Sequence, residues 1–283
     1  MPEKIQANLW QYRKKIDGIQ VISEEPFIPW EMLFLIEPGE TISDEGRFLA
    51  ELGLVRWLYE AGRHPPSRLA IRKDRARHLI PTYPVVPGIA LKPLPEAQAE
   101  AAFLGAAFGS TPIKSVLTSV TPLLQGPGSF DLLHFAGHGA AAEGVVGQAR
   151  LMLDGQIVPQ GYVPEYLRAD HVEFNMKAGD GRPVVVLNAC QAGRANWQLT
   201  GLGGFAQAFL KRGVGLFVGT LWSVGDAPAR VFTEAFYKAL KSGLTVGEAA
   251  RQARGEAKNP ADPTWLAYAV YGHPGATLAR DDD

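Results

Sequence analysis

Two side chains in this chain could together carry out nucleophilic chemistry: His138 and Cys190, the latter the sole cysteine among 283 residues. A thiol becomes a nucleophile near neutral pH when a base removes its proton, and an imidazole within hydrogen-bond reach is the usual base. Each of the two closes an apolar run that breaks into small residues. One run is Asp131-Leu132-Leu133-His134-Phe135-Ala136-Gly137-His138-Gly139, the other Pro183-Val184-Val185-Val186-Leu187-Asn188-Ala189-Cys190-Gln191-Ala192-Gly193. Such runs read as buried strands of a parallel sheet covered on both faces. Ligand sites in open α/β sheets lie outside the carboxyl ends of the strands. Both side chains are therefore expected in one crevice, at a cleft rather than in packing. The chemistry would be acyl transfer, with the thiolate attacking a carbonyl and the imidazole carrying the proton.

Other readings of the same residues are weaker on physical grounds. A lone cysteine is often an inert core thiol, but a core thiol has no need of a glycine-flanked turn opposite a histidine. His134 sits inside its apolar run and reads as structural, held by a backbone hydrogen bond. His134 and His138 have the i, i+4 spacing of helical zinc ligands, yet Gly137 and the strand-like run argue against the helix that a metal site requires. Gly137-x-Gly139-x-x-Ala142, with Asp154 after the next strand, resembles a dinucleotide fingerprint. There His138 would put a ring where the backbone must approach a pyrophosphate, and Gly144 and Gly147 would spoil the helix that should follow. Gly201 to Gly204 reads as a loop flanking the cleft. A non-enzymatic alternative stays open: a fold of this kind kept as an interaction scaffold.

The elements that must position the pair are mostly regular. Residues 1–92 alternate short apolar segments with turns. The spacing over Glu45 to Tyr59 predicts an amphipathic helix, and Leu69 to Arg72 a strand. Pro81, Pro84, Pro87, Pro93 and Pro95 mark a domain boundary or rigid connector. Helices are predicted over Pro95 to Phe108, Ile113 to Leu124, Gly204 to Lys211, about 227–241 and 245–257. Strands are predicted over 131–136, 150–153, 183–189, Val214 to Trp222 and Trp265 to Tyr271. This alternation means a mostly parallel sheet with helices on both faces. Net charge is −1 with no basic block, so no nucleic-acid partner is implied. The longest apolar run, Val214 to Val224, is too short to span a membrane. A single cysteine suits a reducing cytoplasm, and the polar start shows no signal peptide.

Three ordered blocks resemble the signature of CHAT domains, the caspase- and separase-like cysteine peptidases of bacteria. They are His134-Phe135-Ala136-Gly137-His138-Gly139, Asn188-Ala189-Cys190-Gln191-Ala192-Gly193 and Gly219-Thr220-Leu221-Trp222-Ser223-Val224-Gly225-Asp226. The interval from His138 to Cys190 also matches the roughly 50-residue caspase spacing. The resemblance covers about 93–275, and Ile28-Pro29-Trp30-Glu31 resembles the segment that precedes the peptidase unit. It implies a caspase–haemoglobinase-like α/β sheet with the peptidase domain at 93–283; the apolar segments of residues 1–92 are too short to bury themselves alone, so these residues are expected to pack on that domain. It further implies His138 as base, Cys190 as nucleophile, and an oxyanion site from the N–H groups of Gly139 and Cys190. No cofactor or metal is implied. Substrates would be proteins, and a regulatory protein partner or upstream signal is expected, in bacterial defence or programmed cell death. In the separase relatives an acidic residue near the third block meets a basic substrate side chain. That would make Trp222 and Ser223 part of the cleft wall and Asp226 the partner of Arg or Lys before the scissile bond. Asp226 equally fits the N-cap of the helix that follows. The caspase form Gln-Ala-Cys-x-Gly is not reproduced, so Asp specificity is not implied.

Overall fold

The computed structural model describes residues 2–24, 28–41, 43–84, 93–140, 149–159, 161–177, 179–190, 203–222 and 224–279. Ten strands build the central sheet: β1 (Ile19–Ile22), β2 (Leu54–Trp57), β3 (Ala76–Leu79), β4 (Thr111–Pro112), β5 (Leu132–Ala140), β6 (Arg150–Val158), β7 (Gly161–Arg168), β8 (Val184–Cys190), β9 (Leu216–Thr220) and β10 (Tyr268–Tyr271). Their spatial order is β1-β2-β10-β9-β8-β5-β3-β4, and β6 leaves this path by pairing with β5 and β7. Neighbours run parallel except β9 with β10 and the β5-β6-β7 turns of the chain. The central strands carry apolar residues on both faces because both faces are covered. Leu132, Leu133, Phe135 and Val184 to Leu187 are all at most 1% exposed.

The helices are α1 (Glu3–Tyr12), α2 (Pro95–Phe108), α3 (Leu117–Gln125), α4 (Ala169–Asn175), α5 (Gly203–Lys211), α6 (Asp226–Lys241), α7 (Val246–Ala257) and α8 (Thr264–Ala267). Pro95 opens α2, where its missing N–H costs nothing, and Gly109 closes it at φ 62°, a conformation glycine adopts without strain. Thr245 and Glu248 form a reciprocal capping box that starts α7. The register assigns the two sheet faces. His134 aligns with Val186 and Val218 on the face covered by α2 and α6. Leu133 aligns with Val185 and Phe217 on the opposite face, where Phe217 stacks on Phe209 of α5 at 5.8 Å.

Several expected elements differ. Glu45 to Tyr59 is not a helix: it holds a two-residue strand, a 3-10 turn over Leu49–Leu52, and then β2. Gly53, at φ 69°, breaks the turn, and all four residues of β2 are buried between neighbours. Short apolar runs fit helix and strand equally well by period, and burial on both sides decides for strand here. β5 continues through Gly137 and Gly139 to Ala140, so His138 is a strand residue and those glycines do not form a phosphate-binding turn. Asp154 lies within β6 and accepts the N–H of Thr82 at 2.7 Å. Residues 161–175 form β7 and α4, between the strands expected over 150–153 and 183–189.

The first 84 residues contribute β1, β2 and β3 to the sheet. Glu31 and Arg56 form a buried ion pair, with Arg56 Nε donating to Glu31 Oε1 at 2.8 Å. Burial lowers the pKa of the Arg56 guanidinium, but the charge and hydrogen bond of Glu31, with Tyr271, together outweigh it and raise the pKa. On β3, His78 is 7% exposed, and its Nδ1 lies 3.0 Å from the Ser110 hydroxyl. Burial, then the nearby His134, pulls its pKa from 6.5 to about 4. A depressed histidine stays neutral in the fold while the unfolded chain takes up the proton, so stability falls as pH drops through the window from 6.5 to about 4. The expected loss between pH 7 and pH 5 is about 2 kcal/mol at about 1.4 kcal/mol per pK unit. Urea unfolding at the two pH values checks it. The difference should shrink by most of that amount in His78→Gln, and an equal pH slope in both proteins would refute it.

Candidate active site

β5 and β8 are adjacent and parallel, and Cys190 is the Cα partner of His138. In-register positions of parallel strands share a sheet face and lie one strand spacing apart, about 4.8 Å. Both strands end here, at the carboxyl edge of the sheet. His138 is only 2% exposed, so it sits in packing as well as at the strand end, contrary to the expectation of an open cleft. Its ring lies against Tyr83 (centroids 4.4 Å apart, planes at 39°), and its N–H donates to the Tyr83 hydroxyl at 2.9 Å. Backbone N–H groups alternate edges along a strand. Because that of His138 leaves on the Tyr83 side, that of Gly139 leaves on the β8 side, toward Cys190.

Directly beneath the pair lies a buried polar network. His134 Nε2 pairs with Glu100 Oε2 at 2.8 Å, and Asn188 Nδ2 donates to Glu100 Oε1 at 2.6 Å. The Tyr268 hydroxyl donates to Asn188 Oδ1 at 2.9 Å, and His134 Nδ1 lies 3.1 Å from the Tyr237 hydroxyl. Glu100, His134, Asn188, Tyr237 and Tyr268 are each at most 2% exposed. Burial, then the charge of Glu100, raises the Tyr237 hydroxyl well above its ordinary range. His134 is structural, but side chains hold it, not a backbone group. The network joins β5, β8 and β10 to α2 and α6, so it fixes the two strands that deliver His138 and Cys190. A buried carboxyl group is tolerated because each oxygen has a hydrogen-bond partner. Sequence reading passed over Glu100, although it shares the apolar stripe of Ala97, Leu104 and Phe108. A charge on such a stripe is itself the signal.

Asp226 is the first residue of α6, and its side chain does not cap that helix. Its Oδ2 instead accepts the N–H of Glu96 in the first turn of α2, at 3.1 Å. Asp226 is half-buried, and burial raises its pKa; the Glu96 N–H opposes this, the charges of Glu96 and Glu100 add to it, and the charge of His138 opposes it. Asp226 and His138 are therefore near enough to feel each other. Arg230 offsets Glu96, its Nη1 donating to Glu96 Oε2 at 2.7 Å. Trp222, just beyond β9, is 6% exposed and packs in the main core. Ser223 and residues 191–202, which include Gln191, Gly193 and Gly201, lie outside the described residues. Among the described residues no three His, Cys, Asp or Glu side chains cluster as metal ligands.

The fold is that of known cysteine peptidases. Separase of Saccharomyces cerevisiae, in its complex with securin, superimposes with a TM-score of 0.55 at 18% identity, over 93% of this chain and 16% of the separase chain. The Arg-specific cysteine proteinase gingipain R gives a TM-score of 0.59 at 12% identity, over 98% of this chain and 68% of that one. A complex of pro- and mature gingipain domains from Porphyromonas gingivalis gives 0.58 at 12%, over 98% and 70%. This chain thus spans about a sixth of separase, and at such identities the likeness fixes the fold, the caspase–haemoglobinase sheet, and no more. No curated protein matches the sequence. The CHAT domain model matches residues 26–273, beginning well before residue 93 and taking in β2 and β3 with the strands of the site. On that match, which covers most of its length, the chain belongs to the CHAT domain family.

Proposed function

We propose that this protein is a cysteine endopeptidase with Cys190 as nucleophile and His138 as general base. The observation that carries this reading is the register pairing of Cys190 with His138 at the carboxyl ends of two central parallel strands. The imidazole takes the thiol proton, and the thiolate adds to the scissile carbonyl. The N–H groups of Gly139 and Cys190 receive the oxyanion. The imidazolium then protonates the departing amine, and water, activated by the same ring, hydrolyses the acyl-thioester. The sequence signals support a cytoplasmic enzyme under control of a protein partner or upstream signal, in bacterial defence or cell death. Sequencing the new N-termini that wild type and Cys190→Ala generate in a proteome tests the activity. Termini produced equally by both would end the reading in favour of a silent scaffold.

Asp226 supports a preference for a basic residue before the scissile bond. Its carboxylate is half-buried, its pKa is raised by burial first and by the charges of Glu96 and Glu100, and it lies in electrostatic reach of His138. Gingipain R is itself described as Arg-specific. On fluorogenic peptides with Arg, Lys, Asp, Leu or Met at the cleaved position, wild type is expected to favour Arg or Lys. Asp226→Ala should lower turnover of those two by about 30- to 5,000-fold, as for a substrate cation left unpaired. Preference for Asp or Leu in the wild type, or a preference for Arg that survives Asp226→Ala, would remove Asp226 from the pocket.

A further inference from the structure

Tyr83 lies between Pro81 and Pro84, just past β3, in a stretch with no motif. On this edge of β5, β3 pairs no further than Leu79 with Phe135, and β6 begins pairing only at Leu151 with Gly139. The His138 peptide falls in the gap between them, where the ladder offers it no rung among the described residues. The Tyr83 hydroxyl fills that gap: it accepts the His138 N–H at 2.9 Å and donates to the Met152 carbonyl of β6 at 2.8 Å. Its ring meanwhile packs on the imidazole, with centroids 4.4 Å apart. Thr82, one residue earlier, is tied to the same hairpin through Asp154. The close approach also accounts for Gly137, where a Cβ would come within 2.7 Å of the Tyr83 hydroxyl and of Phe135 Cζ.

We propose that Tyr83 is a positioning residue for His138, fixing both its peptide and its ring plane so that the imidazole meets the Cys190 thiol. The proposal rests on the assignment of those two residues as the dyad. A buried peptide N–H needs a partner, and a strand end with a free rung can twist. A displacement on the order of 1 Å at a catalytic group can cost about a hundredfold in rate. Tyr83 would thus act through the histidine, without touching substrate.

Because Cys190 is the sole cysteine, its alkylation by iodoacetamide across pH reads the thiolate without any substrate. In wild type the thiolate should react well below the ordinary thiol range of about pH 8.5, and His138→Ala should move the curve up toward it. Tyr83→Phe keeps the ring and removes the hydroxyl. Its curve is expected between the two, with alkylation at about pH 6 slowed about fivefold or more, and kcat lowered about 10- to 100-fold at a KM within about twofold. If wild type and His138→Ala titrate together, the dyad itself is wrong, whatever Tyr83 does. If they differ and folded Tyr83→Phe follows wild type in both alkylation and kcat, Tyr83 is merely structural, even with a lowered melting temperature. Should Tyr83→Phe not fold, Gly137→Ala retains the tyrosine and pushes its hydroxyl off the peptide. The same shift is expected, and a wild-type curve in that variant overturns the proposal.

Discussion

Cys190→Ala is expected to lower peptide hydrolysis by on the order of a thousandfold or more, and His138→Ala by a similar factor, because nucleophile and base act as one unit. Their effects on stability should differ. The cysteine change removes one heavy atom at a strand end, and its cost should stay within about 1 kcal/mol. His138 is 2% exposed and stacked on Tyr83. Cutting it to alanine leaves a cavity between β5 and that ring, with an expected cost of about 1–3 kcal/mol. The double variant should be no less active than the worse single variant, which independent contributions would not give. Initial rates on an Arg-containing fluorogenic peptide, with thermal melts of all four proteins, provide the measurement. Wild-type-like turnover by Cys190→Ala would sink the peptidase reading. An unchanged melt for His138→Ala would show that its packing carries no stability.

Much of the site was legible because its strands are strong local signals. Val184 to Leu187 and Leu132 to Phe135 read as buried strands from β-branched and apolar runs alone, and β8 and β5 contain them. Helix α2 was readable from Pro95 and Gly109, and α7 lies where the sequence places a helix at about 245–257. What failed had weak local patterns overridden by tertiary packing. β3 is Ala76-Arg77-His78-Leu79, half polar by composition, and becomes a strand because β5 and β4 flank it. β2 contains Arg56, whose charge Glu31 neutralises from 25 residues away; period alone cannot see such a partner. Asp226 reads from the sequence as either a pocket carboxylate or a local cap, and capping is usually local, whereas its observed acceptor role lies across space on α2. Tyr83 was hidden for the same reason, since its contacts are with β5 and β6 and the local sequence, Pro81-Thr82-Tyr83-Pro84, carries no motif.

A chain beginning at Pro87 is expected not to fold. At one side of the sheet it would lose β1 and β2, exposing β10; at the other it would lose β3, stripping β5 of a parallel neighbour over Leu132 to Phe135 and orphaning β4. The buried side chains removed include Leu54, Val55, Trp57, Leu69, Leu79 and Tyr83. At about 1.5–3 kcal/mol for each fully buried large side chain, a handful outweighs the roughly 5–15 kcal/mol that holds a domain together. Arg254 makes the loss worse. It is 1% exposed and donates to the carbonyls of Ala50, Leu54 and Tyr268, and burial pulls its pKa down to about 10. The truncation would remove two of those three acceptors. In the full chain Glu31→Ala is the milder form of the same test. It strands Arg56 as a buried, unpaired cation, at an expected cost of about 3–5 kcal/mol. Size-exclusion chromatography and thermal melting decide both cases. A truncated chain that is monomeric, melts with the full chain and alkylates at Cys190 with the same pH profile would show that the first 86 residues form a separate module.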